Sequence, residues 1–164
     1  MQEKRRKQGL ILFFFFYLII LLKLVIFKYP TEYLMEIVKT WEKGVVLEGL
    51  STANFTLGKS IGMYIRYFPR LNGFENLFGN VLAFIPFGFL LPLCFASSRK
   101  WWQVMSWSLI LVLGIELFQL FSAFGAFDVD DILLNMTGCF SGWLIYVLCL
   151  GKRHKGGSAD NLSH

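Results

Sequence analysis

The stretch "GIELFQLFSAFGAFDVDDILLNMTGCFSG", residues 114–142, joins two apolar runs through a short acidic turn. The chain is 55% hydrophobic, so leucine could have filled every position of these runs. Six polar side chains nevertheless lie in or beside them: Glu116, Gln119, Asp128, Asp130, Asp131 and Asn135. Because both runs continue beyond this stretch, the pattern predicts a hairpin of two membrane-spanning helices with polar groups near the turn.

Further apolar runs extend the same pattern along the rest of the chain. Each run is close to the roughly 20 residues that a helix needs to cross the bilayer core. They cover residues 9–27, 74–95, 101–121 and 131–150. We therefore predict an all-α fold, a polytopic membrane protein built as a four-transmembrane-helix bundle.

The charged residues divide the chain into a membrane domain and two basic tails. The membrane domain is predicted at residues 9–150, after a basic tail at 1–8 and before a disordered basic tail at 151–164. The net charge of +5 follows from residues that flank apolar spans, which indicates topology signals rather than nucleic-acid binding. No small-x-small cleavage site follows the first span, so we expect an uncleaved signal anchor.

The distribution of Lys and Arg predicts the orientation. Both tails and the 96–100 turn are basic, whereas the 122–130 turn is acidic and lacks Lys and Arg. This places both termini in the cytoplasm and the acidic turn outside. The 28–73 connection would also lie outside. It carries six basic residues, which argues mildly against this orientation.

Two segments of this long connection have the spacing of amphipathic helices. In residues 31–46 and 57–70, apolar side chains recur at helical intervals opposite charged ones. We predict amphipathic interfacial helices between spans 1 and 2. Ordinary helices packed on the bundle remain an equal alternative.

The predicted topology brings polar residues of three spans to one depth. With a rise of about 1.5 Å per residue, Asn80, Glu116 and Asn135 lie about 6 to 9 Å below the outer ends of their spans. A carboxylate that faces lipid there costs roughly 2–3 kcal/mol, so these faces should turn toward each other. The sequence thus predicts a polar pocket open to the outside. Its candidate ligand-binding residues are Asn80, Glu116, Gln119, Asp128, Asp131 and Asn135.

Other interpretations of the same residues stay open. Interhelical polar groups can simply hold spans together, at about 0.6 kcal/mol each, and Gly138 with Gly142 forms a GxxxG pair typical of helix packing. Glu116 with Asp131 could form an acid/base couple, although no HExxH, GxSxG or glycine-rich phosphate loop occurs. The acidic turn could bind a divalent cation, but no second ligand set is evident, so we expect neither a metal nor another cofactor.

Three motifs in order carry a resemblance to a known family. They are "NVLAFIPFGFLLP" (80–92), "IELFQ" (115–119) and "DVDDILLNMTGCFSG" (128–142), which resemble the N-x-x-x-F-x-P-x-G, E-x-x-Q and D-x-x-D-x-x-x-N-x-x-G segments of the VanZ-like family. By this resemblance, the family's characteristic positions are Asn80, Phe84, Pro86, Gly88, Glu116, Gln119, Asp128, Asp131, Asn135 and Gly138. The family's Arg-x-x-Asn-Leu-x-Pro-Phe segment is matched only by Asn54, because the Arg and the Pro are absent.

The resemblance also implies a function. The family is associated with low-level teicoplanin resistance in Gram-positive bacteria. We therefore expect a VanZ-like integral protein of the bacterial plasma membrane that contributes to teicoplanin resistance through an outward-facing pocket for an amphiphilic or lipid-linked ligand. Expected partners are membrane lipids and a lipid-linked cell-wall precursor or a lipoglycopeptide, with Phe84, Phe118 and Phe121 beside the acyl part. The alternatives are a membrane enzyme that modifies a lipid or cell-wall precursor, and a structural or regulatory partner of another membrane protein.

Overall fold

The computed structural model describes residues 2–26, 31–39, 45–67 and 73–151, and every regular element in them is helical. The elements are α1 (Gln2–Ile26), α2 (Thr31–Lys39), α3 (Val45–Thr52), α4 (Lys59–Arg66), α5 (Gly73–Cys94), a 3₁₀ turn (Ala96–Ser98), α6 (Trp101–Ser122), α7 (Val129–Tyr146) and a π-helical turn (Val147–Gly151). The predicted all-α fold class is confirmed. The tail at 152–164, predicted to be disordered, lies outside the described residues, as do 40–44 and 68–70 of the predicted connecting helices.

Four of these helices are long and apolar enough to cross a membrane: α1, α5, α6 and α7. Their bounds agree with the four predicted spans to within a few residues, except that α1 already begins at Gln2. The basic cluster of residues 4–7 thus forms part of the first helix rather than a separate tail. The outside of the bundle exposes large apolar side chains such as Phe13, Phe16 and Ile110, which suit a lipid environment. The chain is a multi-pass membrane protein.

Helices α5 and α7 approach each other most closely because glycines line their contact. A Cβ atom on Gly142 would lie 2.0 Å from the Ile85 carbonyl oxygen, and one on Gly138 would lie 2.2 Å from that of Val81. On the facing helix, a Cβ atom on Gly88 would lie 1.9 Å from the Cys139 carbonyl oxygen. Glycine therefore allows backbone-to-backbone contact, as in other small-residue helix interfaces in membranes. Two further motif residues belong to the same helix: Pro86 lies inside α5, and Phe84 is fully buried.

Helix α1 packs antiparallel to α5. The Tyr17 hydroxyl donates a 2.6 Å hydrogen bond to the Ala83 carbonyl oxygen, and Phe14 packs against Phe87 and Phe95 near the other end of α5. One end of the bundle consequently gathers the last turns of α1 and α6 and the first turns of α5 and α7. We call this end of the bundle the polar end, because the polar residues singled out in the sequence lie there.

The short helices α3 and α4 pack on the polar end. A Cβ atom on Gly49 of α3 would lie 2.3 Å from the Leu120 carbonyl oxygen of α6, so these two helices touch backbone to backbone. Both short helices still expose apolar side chains, among them Leu47, Leu50 and Ile65. Helices α3 and α4 therefore pack on the bundle, and their predicted position at the membrane interface stays a prediction.

Candidate functional site

Asp130 joins the connecting segment to the bundle by capping a helix that is distant in sequence. Its carboxylate accepts hydrogen bonds from the backbone N–H groups of Gly58 (2.6 Å), Ser60 (2.8 Å) and Ile61 (3.1 Å). These donors lie at the start of α4, where no earlier residue of the helix can accept from them. Gly58, which precedes α4, adopts a left-handed conformation (φ 83°) and offers no side-chain cap. Asp130 supplies the missing acceptor, and its negative charge suits the positive end of the helix dipole.

Asp128 makes a second set of contacts to the same segment. Its carboxylate accepts from the Asn54 side-chain amide (2.9 Å), from the Ser60 hydroxyl and from the backbone N–H of Asp130 (2.8 Å). The last of these bonds makes Asp128 the N-cap of α7. The carboxylate thus begins one helix and holds the connecting segment at the same time.

Backbone pairing supports these side-chain contacts. The Asn54 N–H donates to the Phe127 carbonyl oxygen (2.8 Å), and the Val129 N–H donates to the Asn54 carbonyl oxygen (3.1 Å). The pair forms an isolated parallel bridge between Asn54 and Asp128. The rings of Phe55 and Phe127 stack beside it with their centroids 5.1 Å apart.

Glu116 reaches the same place from within α6. Its Oε2 atom accepts a 3.0 Å hydrogen bond from the Asp128 backbone N–H, and the side chain is only 1% exposed. We call this group of residues the polar latch: Asn54, Ser60, Glu116, Asp128 and Asp130. The latch fastens the α3–α4 segment and the 122–130 turn to one another and to α6.

A cavity of about 230 Å³ lies beside the latch at the polar end. It is called the polar cavity below, and residues from all four spanning helices line it: Leu24, Val25, Asn76, Gly79, Asn80, Ala83, Gln119 and Asp131. Asn80 donates a 2.6 Å hydrogen bond to the Asp131 carboxylate, which joins α5 to α7. Gln119 donates a 3.1 Å hydrogen bond to the Val25 carbonyl oxygen, in the last turn of α1. That carbonyl has no intrahelical donor, because it lies within the last four residues of the helix.

Asn135 lies one helical turn beyond Asp131 on α7 and is 1% exposed. Its Oδ1 atom is buried without a hydrogen-bond partner among the described residues. Asn135 is not among the residues that line the polar cavity.

The predicted site residues therefore separate into groups. Asn80, Gln119 and Asp131 line the polar cavity, Glu116 and Asp128 belong to the polar latch, and Asn135 is buried within the bundle. All six lie toward the polar end, and of these six only Asn80, Gln119 and Asp131 are among the described residues that line the polar cavity. The role of each in ligand binding stays a prediction.

The aromatic residues expected beside an acyl chain also differ from one another. Phe84 is fully buried in the core and cannot contact a ligand there. Phe118 lines an apolar groove between α1 and α6, and Phe121 is exposed.

Asp130, Ser60 and Asn76 are not among the sequence-predicted site residues. Asp130 is completely buried, yet the D-x-x-D spacing selects the aspartates on either side of it. Its partners lie about 70 residues earlier in the chain, so no local spacing could identify them. Asn76 precedes Asn80 by one helical turn, and this i, i+4 relation was the available signal for it.

The described residues contain no group of three or more His, Cys, Asp or Glu side chains placed to hold a metal ion. The two aspartates of the latch direct their oxygens at backbone and side-chain donors of the protein itself. What the polar end offers is a cluster of satisfied carboxylates next to a cavity whose described lining combines three amides and the Asp131 carboxylate with apolar residues.

Comparison with known proteins gives two findings. A family model described as VanZ/LLP1 matches residues 14–150. Protein VanZ from Enterococcus faecium is 35% identical over 81 residues, an alignment that covers 49% of this chain and 50% of that protein. The chain thus matches about half the length of this curated relative, and no solved structure matches.

Proposed function

The chain belongs to the VanZ/LLP1 family, and on that basis we propose that it binds the polar head group of an amphiphilic molecule in the polar cavity. The observation that carries the proposal is the lining of that cavity. Asn76, Asn80, Gln119 and Asp131, from three membrane-spanning helices, surround about 230 Å³ of space. Side chains that only held the helices together would fill such space.

The volume of the cavity argues for a ligand larger than a single water molecule. One water occupies about 30 Å³ in the liquid, so the cavity exceeds that several times. Polar and ionisable groups within membrane spans are costly, and they mark binding sites or pathways for polar molecules more often than not. The cavity also lies near the ends of the spans, where a lipid head group is within reach.

The Lys and Arg distribution supports an outward-facing cavity, with both termini in the cytoplasm, and the family resemblance supports a bacterial plasma membrane. The ligand would then be a molecule of the outer leaflet: a lipid, a lipid-linked cell-wall precursor or a lipoglycopeptide. Through such a ligand the protein would contribute to teicoplanin resistance, which is what the resemblance to the VanZ-like family implies.

Binding fits the geometry better than catalysis by the candidate acid/base couple. Glu116 accepts a hydrogen bond from the Asp128 backbone and does not line the cavity. Asp131 is the one carboxylate among the described residues of the lining, so the couple of Glu116 with Asp131 does not face one ligand there.

The test is teicoplanin susceptibility of a deletion strain complemented with variants of matched design. Gly79→Leu fills the cavity, since a Cβ atom at Gly79 meets nothing within 4 Å, and Asp131→Asn removes its charge. Gly9→Leu, in equally open space at the other end of α1, is the control. We expect both cavity variants to behave like the deletion strain at unchanged membrane abundance, and the control to restore protection. Full protection with both cavity variants would contradict the proposal.

A further inference from the structure

The lining of the polar cavity also restricts the chemistry of its ligand. Resting on the proposed function, we infer that the cavity selects a head group that donates hydrogen bonds, a hydroxyl-rich sugar or an ammonium group, and rejects phosphate or carboxylate. The argument depends on the charge of the lining, on the hydrogen bonds that fix its amides and on its size.

The charge of the lining is negative. Among the described residues that line it, Asp131 is the one ionisable residue, and none is Lys, Arg or His. Anionic head groups are generally held by Arg or Lys, whose donors match phosphate and carboxylate oxygens. An anion beside Asp131 would instead meet a charge of the same sign.

The hydrogen bonds within the lining fix the orientation of two amides. The Val25 carbonyl and the Asp131 carboxylate can only accept, so Gln119 and Asn80 must direct N–H groups at them. Each amide keeps its carbonyl oxygen as an acceptor and one further N–H as a donor. With the Asp131 carboxylate, the two amide oxygens form a site for O–H or N–H donors, and the remaining N–H groups carry no positive charge to offset that of an anion.

The size of the cavity limits the part of a ligand that enters it. Pockets for drug-sized molecules usually measure about 300–1,000 Å³. At about 230 Å³, the polar cavity can hold one sugar ring or one small ammonium head group. A complete glycopeptide would remain outside and insert only such a fragment.

The experiment uses the full-length protein in lipid nanodiscs and three probes with the same twelve-carbon chain: dodecyl glucoside, dodecylammonium and dodecyl phosphate. Native mass spectrometry measures saturable binding to the unaltered protein, to Gly79→Leu and Asp131→Asn, and to the control Glu32→Gln. The control removes the same charge from an exposed residue of α2. We expect the glucoside, the ammonium or both to bind about tenfold more tightly than the phosphate, because they can donate a hydrogen bond to the charged Asp131 carboxylate, whereas the phosphate carries a charge of the same sign.

The variants separate the inference from the proposed function. Gly79→Leu should abolish the binding of the preferred probe, and Asp131→Asn should reduce its advantage over the phosphate, while Glu32→Gln should change neither. If the phosphate binds most tightly and Gly79→Leu abolishes its binding, the inference is overturned and the proposed function stays intact. If all three probes bind and neither cavity variant changes their binding, both the inference and the proposed function are overturned.

Discussion

The polar latch and the polar cavity contain the same kinds of residue at the same end of the bundle, but their hydrogen bonding differs. In the latch, Asp130 accepts from three backbone N–H groups and is completely buried. In the cavity, Gln119 and Asn80 each make one interhelical bond and border about 230 Å³ of space. Residue type and depth in the membrane therefore do not separate structural polar groups from candidate ligand contacts. What separates the two groups is the number of hydrogen-bond donors that the protein itself supplies to them.

The largest effect is expected from Asp130→Ala. The substitution leaves the N–H groups of Gly58, Ser60 and Ile61 without their acceptor, at about 1–3 kcal/mol for each that stays buried. We expect the free energy of unfolding in detergent to fall by about 3 kcal/mol. A loss below about 1 kcal/mol would show that water replaces the carboxylate and that the latch is not structural.

A smaller loss is expected from Asn54→Leu. This variant removes the side-chain bonds to Ser60 and Asp128 but keeps the backbone bridge to Phe127 and Val129. The unfolding free energy should fall by about 1–2 kcal/mol. Hydrogen exchange should become faster at the amides of residues 58–61, and unchanged exchange there would contradict the proposed coupling.

Gly79→Ala should act in the opposite direction. Its Cβ atom enters open space, and alanine is favoured over glycine in a helix, so a gain of up to about 1 kcal/mol is expected. Gly142→Ala is the matched control, because its Cβ atom would lie 2.0 Å from the Ile85 carbonyl oxygen. Thermal unfolding should rise for the first variant and fall for the second, and equal shifts would argue against an open cavity at Gly79.

The smallest change in stability is expected from Asp131→Asn. The new amide oxygen can still accept from Asn80, so the unfolding free energy should change by less than about 1 kcal/mol. Teicoplanin protection should nevertheless be lost. A stability loss as large as that of Asp130→Ala would place Asp131 with the latch and remove the distinction between the two regions.

The fold could be predicted from the sequence because its determinants are local. Apolar length defines the four spans, and the cost of exposing Glu116 or Asn135 to lipid predicts that they face inward. The division between latch and cavity could not be predicted in this way. Asp130 owes its role to the start of α4, about 70 residues earlier, and helical spacing carries no information about that contact. Asn54, matched by family resemblance alone, does lie in the latch.

The central proposal, a ligand-binding cavity at the polar end that is open to the outside of the cell, is tested most directly by thiol accessibility of Gly79→Cys. Cys94 and Cys139 are buried and Cys149 is exposed, so Cys149→Ser removes the exposed thiol and leaves a parent protein with buried cysteines. A membrane-impermeant methanethiosulfonate reagent, added to intact cells, should label Gly79→Cys in this background and leave the parent unlabelled. Labelling only in inside-out vesicles, or none from either side, would contradict the account.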